Sequence, residues 1–161
     1  MKPYDIKLDY LGKPWCTVPL EVGHNEIGDA DSADWSDLSD AAILFEKLGF
    51  PLPGKAPLMP IEHQIAQKLH AVTIIGDRAR DLVDLQLITQ NCEIDFAKTK
   101  TTCVRLFSYR KAQTWPPIVT EQHGWADLYM EQSSGLPVLQ DLDEAIAWAN
   151  DFIAQIDQAE Q

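Results

Sequence analysis

IEHQIAQKLHAVTIIGDRARDLVDLQLI, residues 61–88, carries apolar side chains at helical spacing on both sides of Gly76 and Asp77, which predicts two helices joined by a short turn. On a wheel of about 100° per residue, Ile61, Ile65, Lys68 and Val72 fall within about 60° of one another, so a lysine stands in the apolar stripe. In the second helix Asp81 lies between Leu85 and Ile88 on the wheel, and Asp84 between Leu87 and Ile88. Burying an unpaired charge costs several kcal/mol, so these three groups need a partner, a metal or a ligand. His70 lies about 200° from Lys68 on the same wheel and faces either solvent or a second packing surface.

Upstream, YDIKLDYLGKPWCTVPLEVG alternates apolar and polar residues around Gly12-Lys13-Pro14. That pattern predicts a strand over about 4–10, a turn, and a strand over about 15–22. A lone hairpin is not stable in water, yet no convincing third strand follows. NEIGDADSADWSDLSD reads as an acidic loop, LSDAAILFEKLGF as a helix stopped by Gly49 and the prolines at 51 and 53, and PLPGKAPLMP as a linker. Pro60 opens the helix that carries Lys68, and further helices are expected over about 95–112, 123–132 and 141–158. The whole reads as one domain over 1–161, with a partial sheet in 1–30 and a helical bundle in 36–161. The other strands of that sheet are expected upstream in a longer ancestor or on another chain.

A chain of 161 residues, 45% hydrophobic and 24% charged, is long enough for one domain with a real core. The net charge of −12 argues against a general nucleic-acid or membrane-surface binder. Its distribution is uneven: residues 1–60 hold ten acids and five bases, and residues 121–161 hold nine acids and no base. Between them, residues 98–111 carry Lys98, Lys100, Arg105, Arg110 and Lys111 with no acid. This band reads as a solvated helix face or as a contact for phosphate or an acidic partner. Cys16, Cys92 and Cys103 form neither a CxxC pair nor a Cys/His metal spacing and read as reduced, mostly buried thiols. The amino end does not resemble a signal peptide and no apolar run approaches the roughly 18 residues of a membrane span, so a cytoplasmic protein without a membrane partner is expected.

The order of these pieces carries a resemblance. IAQKLHAVT and RARDLVDLQLI, preceded by VPLEVG and LGFPLP and followed by RLFSYRKAQTWPP and WADLYMEQ, resemble the carboxy-terminal two thirds of the AbiEii/AbiGii family. Members of that family are nucleotidyltransferase-fold toxins of bacterial abortive-infection, type IV toxin–antitoxin systems. The resemblance implies an α+β fold, mostly α, in which an amino-terminal β-hairpin belongs to a nucleotidyltransferase-type sheet and a helical bundle follows. It implies NTP and magnesium as cofactors and nucleotidyl transfer to an RNA or protein acceptor. Residue by residue, it makes Lys68 the helical lysine that contacts phosphates, Asp81 the first choice and Asp84 the second for the aspartate on the next helix, and Glu21 the third, metal-binding carboxylate. Arg78 and Arg80 flank the lysine, where they would meet phosphate or pair with nearby acids.

One departure qualifies this set. In the family a Gly-Ser turn followed by Asp-x-Asp holds the triphosphate and two metals, and no such segment precedes Glu21. Asp29 and Asp31 form an Asp-x-Asp in a polar loop without a preceding Gly-Ser, and they read as a turn. Without the metal-binding carboxylates, two-metal transfer by this chain alone is not expected. The partners that follow are an upstream polypeptide or cognate antitoxin, an RNA acceptor along residues 98–111, or a second copy. Two plainer readings stay open beside the enzyme: a structural ion pair joining two helices at Lys68, and a non-catalytic interaction module that pairs through an open sheet edge.

Overall fold

The computed structural model describes residues 2–28, 31–52 and 54–160, so Asp29 of the Asp29/Asp31 pair lies outside the described residues. The fold is mixed α+β and mostly helical, opening on an antiparallel hairpin and continuing into six helices among the described residues.

Strands β1 (Lys2–Tyr10) and β2 (Lys13–Val22) join through Leu11 and Gly12, whose φ values are 50° and 74°. Two successive positive φ angles are what a two-residue turn matched to strand twist requires. The turn therefore sits one residue before Gly12-Lys13-Pro14, and β2 begins at Lys13. Tyr4 faces Leu20, Ile6 faces Val18 and Leu8 faces Cys16 across the ladder, while Asp5 faces Pro19 and Lys7 faces Thr17. Because side chains alternate, one side of the hairpin is apolar and the other polar.

The expectation that no third strand follows is corrected. Strands β3 (Asp34–Asp37) and β4 (Lys55–Leu58) pair antiparallel around α1 (Ser39–Lys47) as a separate two-stranded sheet. They fall in the stretches read as loop and linker. Each is four residues long and contains Asp or Pro, too short and too polar to show a period of two.

The helical part begins at Pro60, with α2 (Ile61–Val72) and α3 (Ala79–Asn91) over the predicted stretch. Helices α4 (Phe96–Arg110), α5 (Trp125–Ser133) and α6 (Leu142–Gln158) lie within about two residues of their predicted ends. Asp95 and Asp141 set two of those starts, each accepting a hydrogen bond from the backbone N–H three residues on, at 2.9 Å and 3.0 Å. The α2–α3 turn is clamped at Gly76, whose N–H donates to Gln122 Oε1 (2.8 Å) and whose carbonyl accepts from Trp125 Nε1 (2.9 Å).

Helix α2 packs against both α3 and α4, α5 packs against α3, and α6 packs against α3, α4 and α5. Ile65, Leu69, Leu82, Leu85, Leu106, Phe107, Trp125, Tyr129 and Ile156 are essentially fully buried there. None of the described residues before Pro60 is buried, and neither the hairpin, the β3–β4 pair nor α1 packs against another element. The segment after the hairpin is tied down through Glu26 and Ile27 to α4. Among the described residues no helix is long and apolar enough to cross a membrane.

Candidate functional site

Lys68 projects from α2 toward the first turns of α3, where its Nζ donates to Asp84 Oδ2 at 2.6 Å and to Asp81 Oδ1 at 3.4 Å. All three side chains are partly buried, at 25% exposure for Lys68, 15% for Asp81 and 27% for Asp84, so water screens this cluster incompletely. Arg78 and Arg80 extend it outward, with guanidinium nitrogens 3.9 Å from Asp81 and Asp84 respectively and side chains mostly in solvent. Burial holds the Asp81 carboxyl above its usual range even though Lys68 and Arg78 pull it back. Three cations thus surround two carboxylates, leaving one net positive charge at the mouth of α2 and α3. That arrangement can accept a phosphate oxygen at Lys68 in exchange for Asp84, with the two arginines free to turn toward further oxygens.

Glu21 is not brought to this cluster. It lies exposed on β2 opposite Pro3, on a hairpin that packs against no helix. A divalent cation therefore finds Asp81 and Asp84, both already engaged by cations, and no third carboxylate beside them; among the described residues no group of three metal-ligating side chains forms. The donor set does not fit a two-magnesium centre. Lys68, Arg78 and Arg80 do supply positive charge at one place, each of them paired with Asp81 or Asp84.

The basic band is largely spent inside the chain. Lys98 pairs with Glu62 of α2 at 2.5 Å, a hydrogen bond that raises the lysine's pKa. Lys100 donates to the carbonyls of Asp157 and Ala159 at the end of α6, where a cation also meets the negative pole of the helix. Arg105 donates to the Ile27 carbonyl at 2.6 Å, and Arg110 makes two hydrogen bonds to Glu26, at 2.6 Å and 2.8 Å. Lys111, exposed at the left-handed end of α4, makes no ion pair among the described residues. Two of its five cations, Lys98 and Arg110, thus meet acids of the protein itself.

His70 takes the second packing surface. Its ring meets the edge of Phe107 at 5.0 Å between centroids, Arg110 Nη1 lies 3.2 Å from Nδ1, and buried Nε2 has no partner among the described residues. Burial and the neighbouring guanidinium hold the imidazole below its usual pKa, which keeps it neutral with Nδ1 as acceptor.

A second group was missed by sequence reasoning. Buried Gln86 donates to the Tyr129 hydroxyl (2.9 Å), which donates to the Leu139 carbonyl (2.6 Å), while Leu139 N–H returns to Gln86 Oε1 (2.8 Å). This closed ring welds α3, α5 and the loop before α6. Tyr129 is accordingly a core residue, and Trp125 is buried beside the α2–α3 turn, so neither offers a face for base stacking.

Clefts lie elsewhere. One of about 600 Å³ runs along the end of α4 past Phe107, Ser108, Lys111 and Trp115, and one of about 450 Å³ lies between Thr73, Asp77 and His123. Neither is lined by Lys68, Asp81 or Asp84. No family model matches this chain, and no curated protein matches it.

Proposed function

We propose that this chain is a component of an AbiEii-like nucleotidyltransferase toxin, contributing the helical surface that engages the phosphates of an NTP and relying on another polypeptide segment for the metal-binding carboxylates. The observation that supports it is the meeting of Lys68 with Asp84 and Asp81 across α2 and α3, with Arg78 and Arg80 at the rim. In that role Lys68 neutralises phosphate charge, and the two aspartates keep the ammonium protonated and aimed. Transfer by this chain alone is not part of the proposal, because among the described residues no group of three metal-ligating side chains forms.

Binding calorimetry with each of the four magnesium NTPs tests the reading. Wild-type protein should release heat with at least one nucleotide, and Lys68→Met should weaken that binding by about tenfold or more, as loss of a charge-assisted phosphate contact implies. No heat with any nucleotide, or equal affinity in the variant, would rule the phosphate role out.

The second reading is a non-catalytic interaction module that meets a protein partner or a second copy through its sheet edge. One observation favours it: nothing among the described residues before Pro60 is buried, although Tyr4, Ile6, Leu8, Val18, Leu20 and Val22 share one face of the hairpin. An apolar sheet face and an open edge of that length are surfaces built to be covered.

A further inference from the structure

We propose that two copies of this chain pair through β1, antiparallel about a two-fold axis at Ile6, to form one four-stranded sheet in the order β2-β1-β1-β2. The proposal deepens the interaction-module reading by naming the edge, the register and the occupant.

The edge follows from the prolines. The Leu11–Gly12 turn closes on Tyr10 and Lys13, and in such a turn that closing pair exchanges both backbone hydrogen bonds. Pairs alternate along an antiparallel ladder, broken here once by a bulge between Leu8 and Asp9. Beyond it Pro19, which has no N–H to give to β1, marks its pair with Asp5 as outward-directed, so Pro3, Asp5 and Lys7 direct their backbone groups away from β2, as Asp9 beside the closing pair also does. Their partners Glu21, Pro19, Thr17 and Pro14 likewise direct theirs away from β1. Pro14 and Pro19 have no N–H to offer, which interrupts the outer edge of β2 at two places. On β1 only Pro3 is missing a donor, at the very start of the strand, and the stretch from Asp5 to Asp9 is open.

Charge then favours the register centred on Ile6 over those centred on Asp5 and Lys7. When β1 pairs with its copy about Ile6, Asp5 of each chain stands opposite Lys7 of the other, both of them outward-directed residues that can exchange hydrogen bonds. Moving the axis to Asp5 sets Asp5 against Asp5, and moving it to Lys7 sets Lys7 against Lys7 and Asp5 against Asp9. Opposite charges directly across a ladder stabilise it and like charges oppose it, so the Ile6 register is favoured over both neighbours.

The same register joins the apolar faces. Tyr4 meets Leu8 of the other copy and Ile6 meets Ile6, extending the rows already formed with Leu20, Val18 and Cys16. A two-stranded ribbon, marginal by itself, becomes a sheet of four. Its new outer edges are the proline-interrupted β2 strands, so growth stops at two copies.

Sedimentation of wild-type, Asp5→Lys and Lys7→Asp proteins, alone and mixed, decides the matter. Asp5 and Lys7 are exposed, and unchanged circular dichroism would show that the variants fold. The wild type should be a concentration-dependent dimer, and each variant should dissociate about tenfold more readily or more. An equal mixture of the two variants should recover the dimer, since both facing pairs then carry opposite charges again in the heterodimer. A wild-type dimer indifferent to both substitutions would overturn the β1 pairing while leaving an interaction module standing. A monomer at every concentration would overturn pairing between copies altogether, and a dimer of either variant that mixing does not strengthen would overturn the register.

Discussion

Lys68 Nζ lies closer to Asp84 Oδ2, at 2.6 Å, than to Asp81 Oδ1, at 3.4 Å, so the carboxylate that the family resemblance ranks second is the lysine's tighter partner. Replacing Lys68 by Met leaves two partly buried carboxylates facing each other, and stability should fall by about 1–3 kcal/mol, the range for breaking an ion pair that water still reaches. Adding Asp81→Asn and Asp84→Asn in the same background should recover most of that loss. Urea unfolding of the single and triple variants measures both, and a triple variant no more stable than Lys68→Met would show that the aspartates are not what the lysine offsets.

Asp81 sets a pH dependence of definite sign. Its carboxyl titrates above the usual range because burial disfavours the anion. The folded protein therefore binds the proton more readily than the unfolded chain, and stability from this group is full below the unfolded value of about 3.9 and declines as pH rises through the folded one. Wild-type protein should lose stability relative to Asp81→Asn across that interval. Urea midpoints of the two proteins between acidic and neutral pH check it, and parallel curves would contradict the burial argument.

His70 works in the opposite sense. Its pKa is lowered by burial and by Arg110, against a smaller upward pull from Glu26, so the unfolded chain takes up a proton first as pH falls. Stability from this residue is lost on acidification from about 6.5 down to the folded value. Protonation removes the Nδ1 acceptor and sets two cations together, loosening the Arg110 bridge to Glu26. Imidazole NMR signals of His70 should titrate below about 6.5, and a His70→Gln variant should lose this part of the acid sensitivity. Titration above that value would contradict the geometry.

Thiol reactivity should rank the three cysteines. Cys16 is exposed on β2, Cys92 is half-buried and Cys103 is fully buried, which corrects the expectation of mostly buried thiols for Cys16. Burial pushes the Cys103 thiol up to about 12, so almost no thiolate is present at neutral pH. An aromatic disulfide reagent should react with Cys16 first and with Cys103 only after unfolding. Protection of Cys16 at high protein concentration would be a further sign that its face is covered.

What could be read in advance was local. Lys68, Asp81 and Asp84 stood out because each interrupts an apolar pattern within one or two helical turns, and such interruptions are visible within a short window. The helices over about 95–112 and 141–158 were also legible locally, and the structure adds Asp95 and Asp141 as their caps. By contrast, the Arg110 bridge to Glu26 spans 84 positions, and no spacing rule couples residues so far apart. Gln86 looked like an ordinary polar residue of α3, and only the arrival of Tyr129 and the Leu139 backbone gives it a role. Strands β3 and β4 owe their existence to each other across a helix rather than to a pattern of their own. Glu21 stood beside Lys68 only through the resemblance, which presumes a complete sheet against the helices; in this chain the hairpin that bears it packs against none of them.

The most direct test of the central claim, that Lys68 and its neighbours form a phosphate surface, is a nitrogen-15 NMR titration of the wild-type protein with magnesium NTP. The account predicts that amide signals of residues 66–70 and 78–84 shift together and saturate, and that Lys68→Met abolishes these shifts. Shifts confined to the cleft beside Ser108, Lys111 and Trp115, or no shifts at saturating nucleotide, would show that the Lys68 cluster serves only to join α2 to α3.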